Sequence, residues 1–181
     1  MNPAPPSFDL QPVLEGRLLL LRPLVPADFD ALHAAASDPL IWAQHPESDR
    51  WTLPVFRRYF EGAMRSGGAF AVIERATGRV VGSSRYDHLD PIASEVEIGW
   101  TFLERRLWGG EHNREMKTLM IEHAFRFVER VYFVVGEDNQ RSQKALVKIG
   151  ARFVGPTGDP ARDRRVVFEI TRAVDGAPGR G

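Results

Sequence analysis

The sequence contains no cysteine among its 181 residues. It can therefore form no disulfide, no thiolate metal site and no cysteine nucleophile, and cysteine usage leaves the redox compartment undecided. It also carries no net charge, because 24 Lys and Arg residues balance 24 Asp and Glu residues. Without an overall field, we expect no recruitment to nucleic acid, to an acidic membrane surface or to another polyanion.

Long apolar runs are absent as well. No run approaches the roughly 20 residues that a transmembrane helix needs, and the N-terminal sequence MNPAPPSFDLQP has no basic region followed by an apolar stretch. We therefore expect neither a membrane span nor a signal peptide, and we predict a cytoplasmic location. The five histidines form no HExxH motif and no paired spacing suited to zinc, so no metal is expected.

The length and the 43% hydrophobic content are typical of one globular domain. Residues 1–12 carry four of the 13 prolines and are predicted to form a flexible arm. Residues 13–172 are predicted to fold as a single domain, and residues 173–181 to form a disordered tail. No internal repeat divides the chain.

The order of the predicted elements indicates an α+β fold with a mixed, mostly antiparallel sheet. The predicted strands are 15–24, 69–74, 79–86, 95–103, 131–135, 151–154 and 164–171. The predicted helices are 27–37, one between Thr52 as its cap and Gly67, one over about 113–130, and 142–149. The second to fourth strands should form an antiparallel meander. The next crossover should be parallel and right-handed.

A glycine-rich turn, residues 108–113, joins the predicted strand 95–103 to the long helix. The free N–H groups of a first helical turn and the positive end of the helix dipole favour an anion at such a place. Two interpretations follow from the residues alone. The glycines serve only to reverse the chain, or the turn binds the pyrophosphate of a nucleotide-type cofactor.

Three segments resemble, in the same order, those of the GCN5-related N-acetyltransferases. They are LEGRLLLLRPLVPADFDAL, EIGWTFLERRLWGGEHNREMKTLMIEHAF and GEDNQRSQKALVKIG. The resemblance covers roughly residues 13–172 and is closest to the branch that includes the ribosomal-protein N-terminal acetyltransferases. It implies a single domain whose sheet is splayed between its fourth and fifth strands and has helices on both faces, and it implies acetyl-coenzyme A as co-substrate. The turn departs from the family pattern, since Glu111 stands where a glycine is usual and Asn113 where a small residue is usual.

The resemblance also implies which residues contact the coenzyme. The pantetheine arm would bond to backbone groups of Thr101, Phe102 and Leu103. The pyrophosphate would lie on N–H groups of the turn Trp108, Gly109, Gly110, Glu111, His112 and Asn113. Asn139 and Ser142 would contact the coenzyme as well, although Asn139 could instead cap the short helix that follows it.

Direct acyl transfer requires that the acceptor amine lose a proton, since a lysine-type amine has a pKa of about 10.4. A carboxylate or a water chain would serve as base. The candidates are Glu97, on the strand beside the expected gap, and Glu137, at the end of the fifth strand. Their alternative role is that of hydrogen-bonded or solvated edge groups. The tyrosine that many relatives use as acid corresponds here to Leu146, so water is the expected acid.

Three functional hypotheses follow. The first is an acetyl-coenzyme A-dependent N-acetyltransferase that acts on a primary amine of a small molecule or a protein N-terminus. The second is a non-catalytic acyl-coenzyme A-binding or regulatory module. The third, a nucleoside triphosphatase, is disfavoured because the turn lacks the Lys-Ser/Thr pair that binds phosphate and magnesium. The expected partner is the amine acceptor, with a homodimer as a further expectation.

Overall fold

The computed structural model describes residues 7–172. Its strands are β1 (Leu14–Glu15), β2 (Leu19–Pro23), β3 (Ala69–Glu74), β4 (Arg79–Asp90), β5 (Glu95–Leu103), β6 (Arg130–Gly136), β7 (Arg152–Pro156) and β8 (Arg165–Thr171). Its helices are α1 (Phe29–Ala36), α2 (Pro39–Trp42), α3 (Leu53–Ser66), α4 (Glu111–Ala124) and α5 (Gln140–Lys148).

The described strands form one sheet in the order β1-β2-β3-β4-β5-β6-β8-β7. All neighbours are antiparallel except β5 and β6, which are parallel. The meander β3-β4-β5 and the parallel crossover through α4 therefore confirm the predicted order. Because β8 lies between β6 and β7, the last hairpin covers what would otherwise be the free edge of β6.

Four element predictions need correction. The predicted strand 15–24 is a hairpin, because Gly16 turns the chain and its N–H donates to the carbonyl of Leu19 at 2.8 Å. Thr52 precedes α3 but makes no side-chain cap bond. Residues 40–51, for which no element is predicted, contain part of α2. The long helix begins at Glu111 and ends at Ala124, whereas the prediction was about 113–130. The last three residues of the predicted turn 108–113 therefore belong to the helix.

Two apolar layers cover the sheet. Helices α1 and α3 pack on one face, where they meet Ala69, Ala71 and Phe102. Helix α4 packs on the other face with Met116 and Met120, both fully buried. Each layer removes an apolar helix stripe from water, which supplies the main driving force for folding. The predicted long helix thus lies against the sheet through its apolar side.

The start of α4 is tied to the first hairpin by one carboxylate. Glu115 accepts hydrogen bonds from the backbone N–H groups of Arg17, Leu18 and Leu19, at 2.8, 2.9 and 2.8 Å. Charged acceptors make stronger hydrogen bonds than neutral ones. This contact fixes the position of the helix start relative to the sheet.

The predicted N-terminal arm lies partly within the described residues. The ring of Phe8 lies 5.2 Å from that of Tyr86 and 5.0 Å from that of Phe127, measured between centroids. The carbonyl of Asp9 lies 2.8 Å from Nε2 of the buried His123. Residues 7–12 thus pack on the core. Residues 1–6 and the predicted tail 173–181 lie outside the described residues.

Within residues 7–172, no helix is both long and apolar enough to cross a bilayer. The same residues contain no group of three His, Asp or Glu side chains placed to hold a metal ion.

Candidate active site

The candidate site begins where two neighbouring strands stop pairing. In the described chain, β5 and β6 pair only over Glu95 with Arg130, Val96 with Val131 and Glu97 with Tyr132. Beyond these positions β5 stays bonded to β4 and β6 to β8, so the two strands diverge. Backbone groups on the facing edges of a splayed pair have no ladder partner. The gap therefore offers donors and acceptors to a ligand.

A β-bulge shapes the β5 side of the gap. Trp100 and Thr101 lie opposite the single residue Ser84, and Trp100 has a φ of 50°. The hydroxyl of Tyr59 donates to the carbonyl of Trp100 at 2.9 Å and holds the bulge from the α3 side. A bulge re-aims the backbone locally and interrupts the ladder. It lies where β5 leaves β6.

A cavity of about 230 Å³ fills the gap and extends to the start of α4 and α5. Its walls include residues 98–103 of β5 and 133–136 of β6. Four of the described residues that line it are basic and none is acidic; the basic ones are Arg50, Lys117, Arg141 and Arg165. Such a lining favours an anionic ligand.

Most of the predicted coenzyme contacts lie on this cavity. Those that line it are Thr101, Phe102, Leu103, Trp108, Gly109, Asn113, Asn139 and Ser142. Three further predicted residues, Gly110, Glu111 and His112, form the start of α4 beside it. The residues predicted from β5, α4 and α5 therefore lie around one gap in the fold.

The start of α4 has the geometry of an anion site. Gly109 has a φ of 73°, a left-handed conformation that glycine adopts without strain, and Gly110 is the N-cap of the helix. The N–H groups of residues 111–113 therefore lack intrahelical partners. Glu111, which departs from the family pattern, directs its carboxylate to Arg17 at 2.5 Å, and both side chains are more than two-thirds exposed. Its charge thus points away from the cavity.

Asn139 caps α5 and also lies on the cavity. Its Oδ1 accepts the backbone N–H of Ser142 at 3.1 Å, which makes it the N-cap of α5. The residue is also buried and lines the cavity. Since the cap occupies the oxygen, the amide nitrogen is the group that remains to donate.

The two predicted bases lie off the cavity. Glu97 is 2% exposed and accepts a hydrogen bond from Arg162 Nη1 at 2.7 Å, with His88 Nδ1 at 3.2 Å. Burial raises the pKa of Glu97, and Arg162 opposes that change. Glu137 is half-exposed and pairs with Arg164 at 2.6 Å. Neither is among the described residues that line the cavity.

Several residues that line the cavity had not been predicted, among them Arg141 and Lys117. Arg141 bridges the walls, with its guanidinium 3.9 Å above the Trp108 ring and its Nη2 donating to the carbonyl of Ile41 at 2.8 Å. Lys117 reaches the cavity from α4. The available signal for Lys117 was its place in the predicted long helix, directly after the buried Met116. No local pattern marks Arg141.

On the α2 side, Arg50 lies between aromatic rings, with its guanidinium 5.0 Å from the Trp42 ring and 4.9 Å from the Tyr59 ring. Its neighbour His45 also lines the cavity. Burial, aided by the nearby Arg50, lowers the pKa of His45 to about 3. This imidazole is therefore neutral near pH 7.

The arrangement has known counterparts. Residues 18–152 match the family model described as an acetyltransferase (GNAT) domain. The chain belongs to the GNAT acetyltransferase family. Family membership supports acetyl transfer as its general activity, and it confirms both the resemblance found in the sequence and the splayed α+β fold.

Solved GNAT structures share the fold over most of the chain. A GCN5-related N-acetyltransferase from Brucella melitensis is 25% identical, with a TM-score of 0.78, covering 94% of this chain and 83% of that one. A GNAT-family acetyltransferase from Bacillus anthracis is 20% identical, with a TM-score of 0.71 and coverage of 88% and 98%. Mycobacterium smegmatis RimJ, solved with CoA-disulfide, is 17% identical, with a TM-score of 0.66 and coverage of 84% and 81%.

Proposed function

We propose that this GNAT domain transfers an acetyl group from acetyl-coenzyme A to a primary amine. The observation that carries the proposal is the cavity between β5 and β6, which leads to the open first turn of α4 and has no acidic lining residue in the described chain. Coenzyme A is a long polyanion with a narrow amide-containing arm. The strand gap suits the arm, and the helix start suits the diphosphate.

The chemistry places few demands on side chains. The amine nitrogen attacks the thioester carbonyl carbon, and negative charge develops on the carbonyl oxygen. A backbone N–H at the β5 bulge is our proposed donor to that oxygen, because fixed donors in a dry gap stabilise developing charge effectively. The acceptor is a small molecule or a peptide N-terminus. It must lose a proton before it attacks.

Glu97 is our proposed base, and it would act through water because it lies off the cavity. Because it must be ionised to accept a proton, kcat should rise with pH through its raised pKa. We expect Glu97→Gln to lower kcat by about 100-fold and to abolish that rise. Steady-state kinetics over a pH series measure both. The matched control is Glu122→Gln on the exposed face of α4. An unchanged kcat in Glu97→Gln would remove the residue from the mechanism.

Two substitutions separate the roles of Asn139. Asp caps helices as well as Asn, so Asn139→Asp should keep the unfolding free energy, whereas Asn139→Ala should lower it by about 1 kcal/mol. Only the Asp variant adds a negative charge to the cavity. We expect it to weaken coenzyme A binding by about tenfold, equal to about 1.4 kcal/mol. Calorimetric titration and urea unfolding report the two quantities. Equal affinity in Asn139→Asp and wild type would exclude a coenzyme contact.

The proposal as a whole is tested by release of free thiol from acetyl-coenzyme A in the presence of a panel of small amines and peptide N-termini. We expect thiol release that depends on both the protein and one class of amine. Tight coenzyme binding without turnover across a broad panel would instead support the non-catalytic binding module. No binding at millimolar coenzyme would contradict both.

A further inference from the structure

Lys117 occupies the α4 side of the strand gap. It lies in the second turn of α4, is 6% exposed and lines the cavity. Its Nζ donates to Thr101 Oγ1 on β5 at 2.6 Å and lies 5.3 Å from the centroid of the Phe133 ring on β6. The amine therefore bridges the two strands where they diverge.

Among the described residues, no counterion accompanies this amine. The groups that face it are the Thr101 hydroxyl, which also contacts the Ser84 hydroxyl on β4, and the Phe133 ring. Within residues 7–172, Lys117 forms no ion pair, and the charged residues that share its cavity are arginines. Burial alone lowers the pKa of Lys117 to about 7. Since an ammonium has three N–H groups and Thr101 takes one, donor capacity remains.

The choice of lysine here stands out in a chain that has 21 arginines and only three lysines. The other two, Lys144 and Lys148, are exposed on α5. Arginine stays protonated in proteins, whereas a buried lysine can lose and regain its proton. The one buried lysine is therefore placed where an exchangeable proton faces the gap.

The other lining groups of the cavity cannot supply that proton near neutral pH. His45 is neutral there, because its pKa is lowered to about 3. Arg50, Arg141 and Arg165 keep their protons. No tyrosine or carboxylic acid is among the described lining residues. Leu146, on α5, contributes only apolar surface.

We propose that Lys117 is a catalytic residue that protonates the departing sulfur of coenzyme A; this rests on the proposed function. As the acceptor nitrogen bonds to the thioester carbonyl carbon, the carbon–sulfur bond breaks and its electron pair stays on sulfur. Lys117 gives that sulfur a proton and becomes a neutral amine. The product nitrogen loses its extra proton to the base, which releases it to solvent, and solvent returns a proton to Lys117 before the next turnover.

The first test measures proximity without turnover. In the binary complex with coenzyme A, the ultraviolet absorbance of the thiolate is followed against pH for wild type, Lys117→Met and the exposed control Lys148→Met. A neighbouring ammonium favours a thiolate. Because Lys117 itself titrates near pH 7, we expect a fraction of the thiolate to form near that pH in wild type and Lys148→Met, paired with the ammonium, and only the ordinary thiol titration at about pH 8.5 in Lys117→Met. Identical titrations in all three would overturn the proposal.

The second test uses the pH profile of turnover. An acid must be protonated, so kcat of wild type should fall as pH rises above the pKa of Lys117. In Lys117→Met we expect kcat to drop by about 10- to 100-fold, with KM for acetyl-coenzyme A within about threefold and with the alkaline fall absent. If Lys117 had a purely structural role, the substitution would change KM or folding, and the shape of the kcat–pH profile would stay unchanged. A retained kcat, or a retained alkaline fall, would overturn the assignment.

Lys117→Arg keeps a cation and a hydrogen-bond donor but not an exchangeable proton. If Lys117→Met does not fold, the same measurements are made on Lys117→Arg. We expect a low kcat in this variant too. If wild type releases no thiol with any amine, the proposed function fails, while the thiolate titration still decides whether Lys117 lies beside the sulfur.

Discussion

Gly82→Ala is expected to lower the free energy of unfolding by about 3 kcal/mol and to weaken coenzyme A binding at least about tenfold. Gly82 lies in β4 between Val72 of β3 and Leu103 of β5. A Cβ there would overlap the carbonyl oxygen of Phe102 and lie 2.8 Å from Leu103 Cδ2. Because β4 is bonded on both edges, β5 must move. Its displaced segment is the predicted pantetheine strand.

The control makes the same chemical change elsewhere. Gly62 lies inside α3, and a Cβ at that position would meet no atom within 4 Å. We expect Gly62→Ala to stabilise the fold by up to about 1 kcal/mol through helix propensity and to leave coenzyme binding unchanged. Urea unfolding and calorimetric titration measure both variants. Full coenzyme affinity in Gly82→Ala would show that the position of residues 102–103 does not control binding.

The second large effect is a gain in stability. Keeping the pKa of Lys117 at about 7 instead of 10.5 costs the folded state roughly 4 kcal/mol at neutral pH. Lys117→Met removes that cost, and it loses the Thr101 hydrogen bond, which is worth about 1 kcal/mol. We therefore expect the variant to be more stable than wild type by roughly 3 kcal/mol at pH 7. Lys148→Met should differ little from wild type.

The sign of the pH dependence follows from the same shift. Because the folded-state pKa of Lys117 lies below its unfolded-state value, the unfolded chain binds more protons between about pH 7 and 10.5. Wild-type stability therefore gains from this group as pH rises, and the advantage of Lys117→Met shrinks. Urea unfolding near pH 7 and near pH 9.5 measures the difference. A variant less stable than wild type at neutral pH would show that the amine supports the fold.

Local patterns in the sequence predicted most of the sheet. Strand β3 and strand β5 have the predicted bounds, because alternating or continuous apolar runs end at glycines and polar turns. The first hairpin was missed, since the apolar run Leu18–Leu21 indicates one long strand and no second turn residue beside Gly16 marks the reversal. Its geometry depends on Glu115, about a hundred residues away in sequence.

For the candidate site too, features set by local sequence could be predicted and features set by distant residues could not. The location of Thr101 to Leu103 and of the glycine turn beside one gap could be predicted from the order of the segments and their resemblance to the family. The direction of a side chain could not be predicted in this way, because it depends on partners that are distant in sequence. Glu111 pairs with Arg17 and points away from the cavity, and Glu97 is bonded to Arg162. Burial of Lys117 likewise depends on the divergence of β5 from β6.

The most direct measurement of the central claim is amide hydrogen exchange with and without saturating coenzyme A. We predict slower exchange at residues 101–103 of β5 and 111–113 of α4, where backbone N–H groups would bond to the pantetheine arm and the diphosphate. The edge strand residues 152–153 should be unaffected. Saturable binding with protection confined to other segments, or no protection at all, would contradict the account.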